Sequence, residues 1–425
     1  MSVASIHPGS IPHEQTVARP HNWALCLFVV MIPLQSVYLQ HLPTLPGGIN
    51  FINVMFVLSW MVAIQCRGGL VRGTGVNGWV MMYLAGLTVA LFIGFSTVAD
   101  PSGHGSFFKD QVIAVAFLFL AQMSTSDWSG VRRLFLVSLL PLPYMFHVVR
   151  DQNALVRSWH YSDDMRINGT FIELGANEMA AFFVTAALVV LGLVFGARMS
   201  WRWRTVLGVA AGLSIVAVVL SYSRTAYIAI LVGLLIVIVL PRWRYKLLLP
   251  ALLVMAALPL ILPPAAIERF DSITIEEGER DLSTEHRFEF WELAITEFSQ
   301  RPLLGTGFHT FHHPEFNPHE MDVHNFFLRE LVEKGLIGAI ILFGLLWSIG
   351  RLLWRGVRFA EEGSWYAGMM IGLSGAFVAL MIGNVFGDRF THYPMIAHFW
   401  LYIGLALRGL QLRAAELAEV DHHAP

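Results

Sequence analysis

Charge is the first thing this sequence lacks. Only 14% of its 425 residues are Asp, Glu, Lys or Arg, against 56% hydrophobic, and the mean hydropathy is +0.59. A water-soluble domain carries about 25% charged residues. The deficit argues against a soluble enzyme and suits a chain that faces lipid along most of its length. Cysteine is scarcer still. Cys26 and Cys66 both sit in or beside apolar runs, which argues against a disulfide framework. The N-terminal MSVASIHPGSIPHEQTVARPHN has no basic start, apolar stretch or small-residue cleavage site of a secretory signal. The first apolar run is therefore expected to remain as a membrane anchor. There is no low-complexity tract, no Asp-x-Asp sugar-nucleotide motif, and no matching of halves of the kind many transporters show.

What the sequence has instead is apolar runs near the roughly 20 residues needed to cross a bilayer. Twelve are expected, at about 23–40, 49–65, 78–98, 107–123, 131–149, 174–196, 205–221, 224–240, 246–263, 335–354, 365–386 and 394–411. Runs this long fit helices rather than the alternating strands of a membrane barrel. The expected fold class is thus an all-α polytopic membrane protein. Its parts are an N-terminal tail 1–22, nine spans within 23–263, a loop 264–334, three spans within 335–411 and a C-terminal tail 412–425. With the N-terminus cytoplasmic, 16 of the 28 basic residues fall on cytoplasmic segments and six on the short loops opposite. By the positive-inside rule both termini are then cytoplasmic and the long loop is extracytoplasmic. Within that loop LSTEHRFEFWELAITEFSQRP reads as an amphipathic helix. Ser283 or Thr284 would cap it, and Phe288, Trp291, Ile295 and Phe298 recur at helical spacing before Pro302.

Five of the 17 histidines crowd into FHTFHHPEFNPHEMDVHN, at 309, 312, 313, 319 and 324. The nearest approach to the zinc motif HExxH is HEMDVH, one residue too long. Five residues of helix place two side chains about 140° apart, so His319 and His324 could not share an ion on one helix. His309, His312, His313 and His319 read as interfacial or surface residues, although a loop site for metal stays open for His309 with His312 or His313. His324 differs, because a helix follows it directly in VHNFFLRELVEKGLIGAIILFG. An imidazole at that helix start can accept a proton from a nucleophile; a helix-start histidine satisfied by water is the competing reading. Four arginines fall on the same expected side: Arg166, Arg224, Arg287 and Arg389. One such residue reads as a membrane anchor. Several together suit a phosphate-bearing anion, whose oxygens match the guanidinium fork.

RFEFWELAITEFSQRPLLGTGFHTF, followed by VHNFFLRELVEKGLIGAIILFGLL, resembles the core of the O-antigen ligase and polymerase superfamily. The shared pattern is an Arg, a Trp, P-x-x-G-x-G, a spacer, then H-N-x-x-L and E-x-G-x-x-G. GTFIELGANEMAAFF and SYSRTA are similar to two further pieces, so that the likeness covers about 166–346. It implies a GT-C-like, metal-independent membrane glycosyltransferase that needs no cofactor and takes a glycan from undecaprenyl diphosphate. By the same resemblance Arg224 and Arg287 would hold the diphosphate and His324 would activate the acceptor hydroxyl. Asn325 and Trp291 belong to the motif as supporting residues. Arg166 and Arg389 join on location alone. The acceptor could be lipid A core, a glycan chain or a protein, and nucleic acid is not an expected partner. A lipid-linked glycan flippase or transporter is the alternative from another class, and an envelope scaffold a third. The expected setting is a bacterial inner membrane with a periplasmic active site. The four other histidines fall in the spacer, where acceptor specificity could be set.

Overall fold

The computed structural model describes residues 21–42, 50–66, 68–155, 166–241, 267 and 282–423. No strand occurs among the described residues; one isolated bridge joins Ala197 to Gly363. The helices in chain order are α1 (Trp23–His41), α2 (Phe51–Gln65), α3 (Val76–Thr97), α4 (His104–Ser124), α5 (Trp128–Ser138), α6 (Leu142–Ala154), α7 (Ala176–Gly196), α8 (Trp201–Leu220), α9 (Arg224–Val239), α10 (Leu282–Gln300), α11 (Phe326–Phe359), α12 (Trp365–Val385) and α13 (Tyr393–His423).

Among the described residues nine helical runs are long and apolar enough to cross a membrane, with α5 and α6 together making one. Two more of the twelve expected spans are the shorter apolar helices α2 and α9. The twelfth, 246–263, lies outside the described residues, as does the loop segment 268–281. Local chemistry sets the boundaries that the apolar runs left vague. Pro33 interrupts α1 with a 3-10 turn at Ile32–Leu34, because proline cannot donate the helical hydrogen bond. Pro141 opens α6 and divides the expected fifth span into two helices. The amphipathic helix starts at Leu282 rather than after Ser283 or Thr284, so both lie inside its first turn instead of capping it. At the other end α13 runs on through the segment expected to be a C-terminal tail.

The centre of the bundle is built on close backbone approach. A Cβ on Gly192 of α7 would lie 2.2 Å from the Gly372 backbone nitrogen of α12. Small residues let helices meet this way where lipid gives no hydrophobic drive to associate. One turn further along α12, Gly375 meets the backbone of Gly233 in α9. The helices α7, α9 and α12 thus form one tightly packed group, and α13 packs along α4 beside it.

The helix α11 is two helices in series. Gly335 has φ 64° and ψ −167°, which breaks the run between Phe326–Lys334 and the membrane span. Only glycine takes this conformation without strain, and a Cβ there would lie 2.4 Å from the Leu303 backbone. The amides freed by the break are met by the preceding loop: Leu336 donates to the Pro302 carbonyl at 2.8 Å and Ile337 to that of Leu303 at 3.3 Å. The first part carries Arg329, Glu330, Glu333 and Lys334, all buried. Lys334 pairs with Glu330 and lies 3.3 Å from the Tyr83 hydroxyl.

Gly192→Leu would drive a side chain into α12. Overpacking of this sort costs about 1–3 kcal/mol or more, so the purified protein is expected to melt at least ~2 °C lower. An unchanged thermal unfolding curve in detergent would contradict the packing described.

Candidate active site

The site assembles from helix ends. Arg166 precedes α7, Arg224 begins α9 directly after α8, His324 precedes α11, and Arg389 lies in the turn between α12 and α13. In the α8–α9 turn Ser221 ends one helix and Tyr222 takes a left-handed φ of 52°. Ser223 then caps α9, its hydroxyl accepting the Ala226 amide at 3.4 Å. A three-residue reversal of this kind leaves Arg224 no choice but the bundle rim.

Asn177 and Glu178 at the start of α7 gather the arginines. The Asn177 side-chain oxygen accepts from Arg166 Nη2 at 2.8 Å and from the Ser223 hydroxyl at 2.8 Å. It thereby joins Arg166 to the turn that carries Arg224. Glu178 pairs with Arg389, whose backbone amide is held by the Asn384 side chain at 2.9 Å. Asn177, Ser223 and Arg389 line one narrow cavity between α7, α9 and α12. Arg389 is buried, whereas Arg166, Arg224 and Arg287 are half-buried.

His324 is held by three neighbours. The Trp291 indole of α10 donates to the Val323 carbonyl at 3.1 Å. Asn325 caps α11, accepting from the Phe327 and Leu328 amides at 3.0 and 3.1 Å. The Phe326 amide donates to the Gly387 carbonyl at 3.1 Å, which docks the helix start on the Arg389 turn. Between these fixed points His324 takes a φ of 53°, a conformation that costs a side-chain-bearing residue energy and persists where surroundings over-determine it. Trp291 and Asn325 therefore act on the His324 backbone.

Burial holds the His324 imidazole below its usual range, with Arg287 adding to the effect and Asp322 and Glu178 opposing it; Arg389 lowers it further. The downward shift favours the neutral imidazole, the form that can accept a proton. Burial pushes the Asp388 carboxyl up, to about 7, against Arg329. Asp322, although burial raises it, sits below the usual carboxylate range because Arg329, His392 and His324 outweigh that effect. His392 is lowered by burial, with Glu178 and Asp322 working against the shift.

His324, Arg287 and Arg389 thus lie within electrostatic reach of one another, and Arg166 and the Ser223–Arg224 turn meet through Asn177. The spacer histidines take other partners. Residues 301–325 contain no helix, so it is not helix geometry that parts His319 from His324. His319 Nε2 instead bonds Glu289 at 2.9 Å. His309 is buried, contrary to its reading as a surface residue: its ring lies 3.9 Å from those of Phe107 and His312. No group of three or more His, Cys, Asp or Glu side chains among the described residues is arranged to hold a metal ion. Sequence reasoning met Asn177 only as part of GTFIELGANEMAAFF, and missed Glu178, Asp322, Arg329, Asp388 and His392. Asp388 adjoins Arg389 and Asp322 stands two residues from His324, and in a chain so poor in charge a carboxylate near a candidate site residue is itself a signal.

Residues 209–343 match the family model described as O-antigen ligase. The match takes in Arg224, Arg287, Trp291, His324 and Asn325, and leaves Arg166 and Arg389 outside. It supports the O-antigen ligase and polymerase superfamily and, with it, a membrane glycosyltransferase-like enzyme. A search of curated proteins finds no match.

Arg287→Gln removes a cation that disfavours the imidazolium, so the His324 titration is expected to move to higher pH. Labelling of His324 with diethyl pyrocarbonate, which acylates neutral imidazole, followed across pH by mass spectrometry, checks this. A midpoint that stays fixed or falls would remove Arg287 from the His324 environment.

Proposed function

We propose that this chain transfers a glycan from undecaprenyl diphosphate to an acceptor hydroxyl on the extracytoplasmic face of a bacterial inner membrane, as an O-antigen ligase-like enzyme. The observation that carries the reading is a half-buried histidine beside arginines that cluster at helix ends on an apolar bundle. The acceptor oxygen attacks the anomeric carbon as the bond from that carbon to the diphosphate oxygen breaks. His324 takes the hydroxyl proton. Arg224 and Arg287, with Arg166 and Arg389 beside them, meet the charge growing on the departing diphosphate. Fixed guanidinium groups in a partly dry site stabilise such charge without reorganising during the reaction. The lipid tail of the donor lies among the spans, which brings the diphosphate to the rim where the arginines are.

Polymerase and protein glycosyltransferase chemistry use the same donor and the same proton transfer, differing in the acceptor. A flippase or transporter is favoured less, because its key charges belong near the membrane midplane on broken helices. Here they cluster at helix ends. The positive-inside pattern supports cytoplasmic termini and a periplasmic site.

The direct test is reconstitution in lipid with an undecaprenyl-diphosphate-linked glycan and separate lipid A core, glycan and protein acceptors, read by product mass. His324→Ala is expected to insert and melt like the parent protein and to lose transfer by at least ~100-fold, the range that general-base catalysis supplies. Full activity in that variant would end the proton-acceptor role. Chelators are expected to leave turnover unchanged; loss that zinc restores would point to a metal enzyme.

A further inference from the structure

One buried guanidinium contacts the segments on either side of the candidate site. Arg329 is 5% exposed and lies five residues after His324. Its Nη1 is 3.7 Å from the Asp322 carboxylate and 3.6 Å from that of Asp388. Its Nε is 3.4 Å from Glu333, and its Nη2 meets His309 Nδ1 at 2.9 Å. Glu333 in turn accepts the His309 amide at 3.0 Å. Asp322 stands two residues before His324, and Asp388 immediately precedes Arg389.

We propose that Arg329 is a positioning residue for the transfer reaction: its guanidinium holds the Asp322–His324 segment and the Asp388–Arg389 turn at a fixed separation, so that His324 and Arg389 face one substrate. The inference rests on the glycosyltransferase reading above and adds to it a residue that touches neither donor nor acceptor. The planar fork suits this task, since its separate nitrogens reach carboxylates in different directions. Lysine is a point charge on a flexible stem and cannot hold four partners at once. The link is also electrostatic. Asp322 favours the His324 imidazolium, while the positive charge of Arg329 beside that carboxylate offsets part of its field. The other charges acting on His324 are Arg287 from α10, Glu178 from α7 and Arg389 itself.

Three variants of the full-length protein in lipid test the proposal. Arg329→Lys keeps the charge and loses the fork. It is expected to lower kcat about 100-fold, as a misplacement near 1 Å does, with the donor KM changing less than about threefold. Arg329→Gln releases Asp322 toward His324 and is expected to move the pH profile of His324 acylation upward. Asp322→Asn removes that carboxylate and is expected to move the same profile downward. An arginine that served packing alone, with no charge coupling to Asp322, would leave the His324 profile where it is. Wild-type kcat in Arg329→Lys would overturn the proposal, as would acylation profiles that stay fixed. Asp322 is more exposed than Arg329, so its variant decides the matter if Arg329→Gln does not fold. The acylation readout needs no activity. A parent protein that acylates as expected yet transfers no glycan would sink the glycosyltransferase reading instead.

Discussion

A guanidinium taken out of water must be met by carboxylates or other hydrogen-bond acceptors, and carboxylates are few in this chain. The penalty for an unpaired buried ion is several kcal/mol, so each buried arginine decides which segments come together. Arg389 draws the α12–α13 turn onto Glu178 of α7. Arg329 draws a loop, a turn and its own helix onto one point. Close glycine contacts fix how α7, α9 and α12 pack, but they leave the loops and turns at the rim unplaced. The few charges select their places.

That selection explains how much could be read beforehand. Span positions were legible because lipid demands long apolar runs, and the motif residues were legible as a pattern. The position of His324 at a helix start followed from the helical run that begins directly after it. The pairing of Arg389 with Glu178 was not legible, since 211 residues separate them and nothing local links the two. Arg166 and Asn177 are only 11 apart, yet their bond depends on where α8 and α9 turn. The division of the fifth span at Pro141 was visible in principle, because proline interrupts a helix whatever its hydropathy. Hydropathy alone outweighed it. His309 was misjudged for a related reason: a histidine in a loop reads as exposed until a buried arginine is known to need it.

The strained φ at His324 and the lowered basicity of its ring have a common origin. The segment is pinned at Val323 by Trp291 and at Phe326 by Gly387. The residues between are pressed into a half-buried position from which the backbone cannot relax. Burial disfavours the proton on the ring, and the pins keep the ring beside the arginines. A histidine free to swing into water would lose both properties together.

The break at Gly335 has a mechanical meaning. Because Leu336 and Ile337 take their hydrogen-bond acceptors from Pro302 and Leu303, the membrane span is spliced to the end of α10 as well as to its own upstream helix. A tilt of that span, as when it adapts to a bilayer of different thickness, pulls on the helix that carries Arg287 and Trp291. The thickness of the host membrane thereby becomes a load on the site, delivered through two backbone amides.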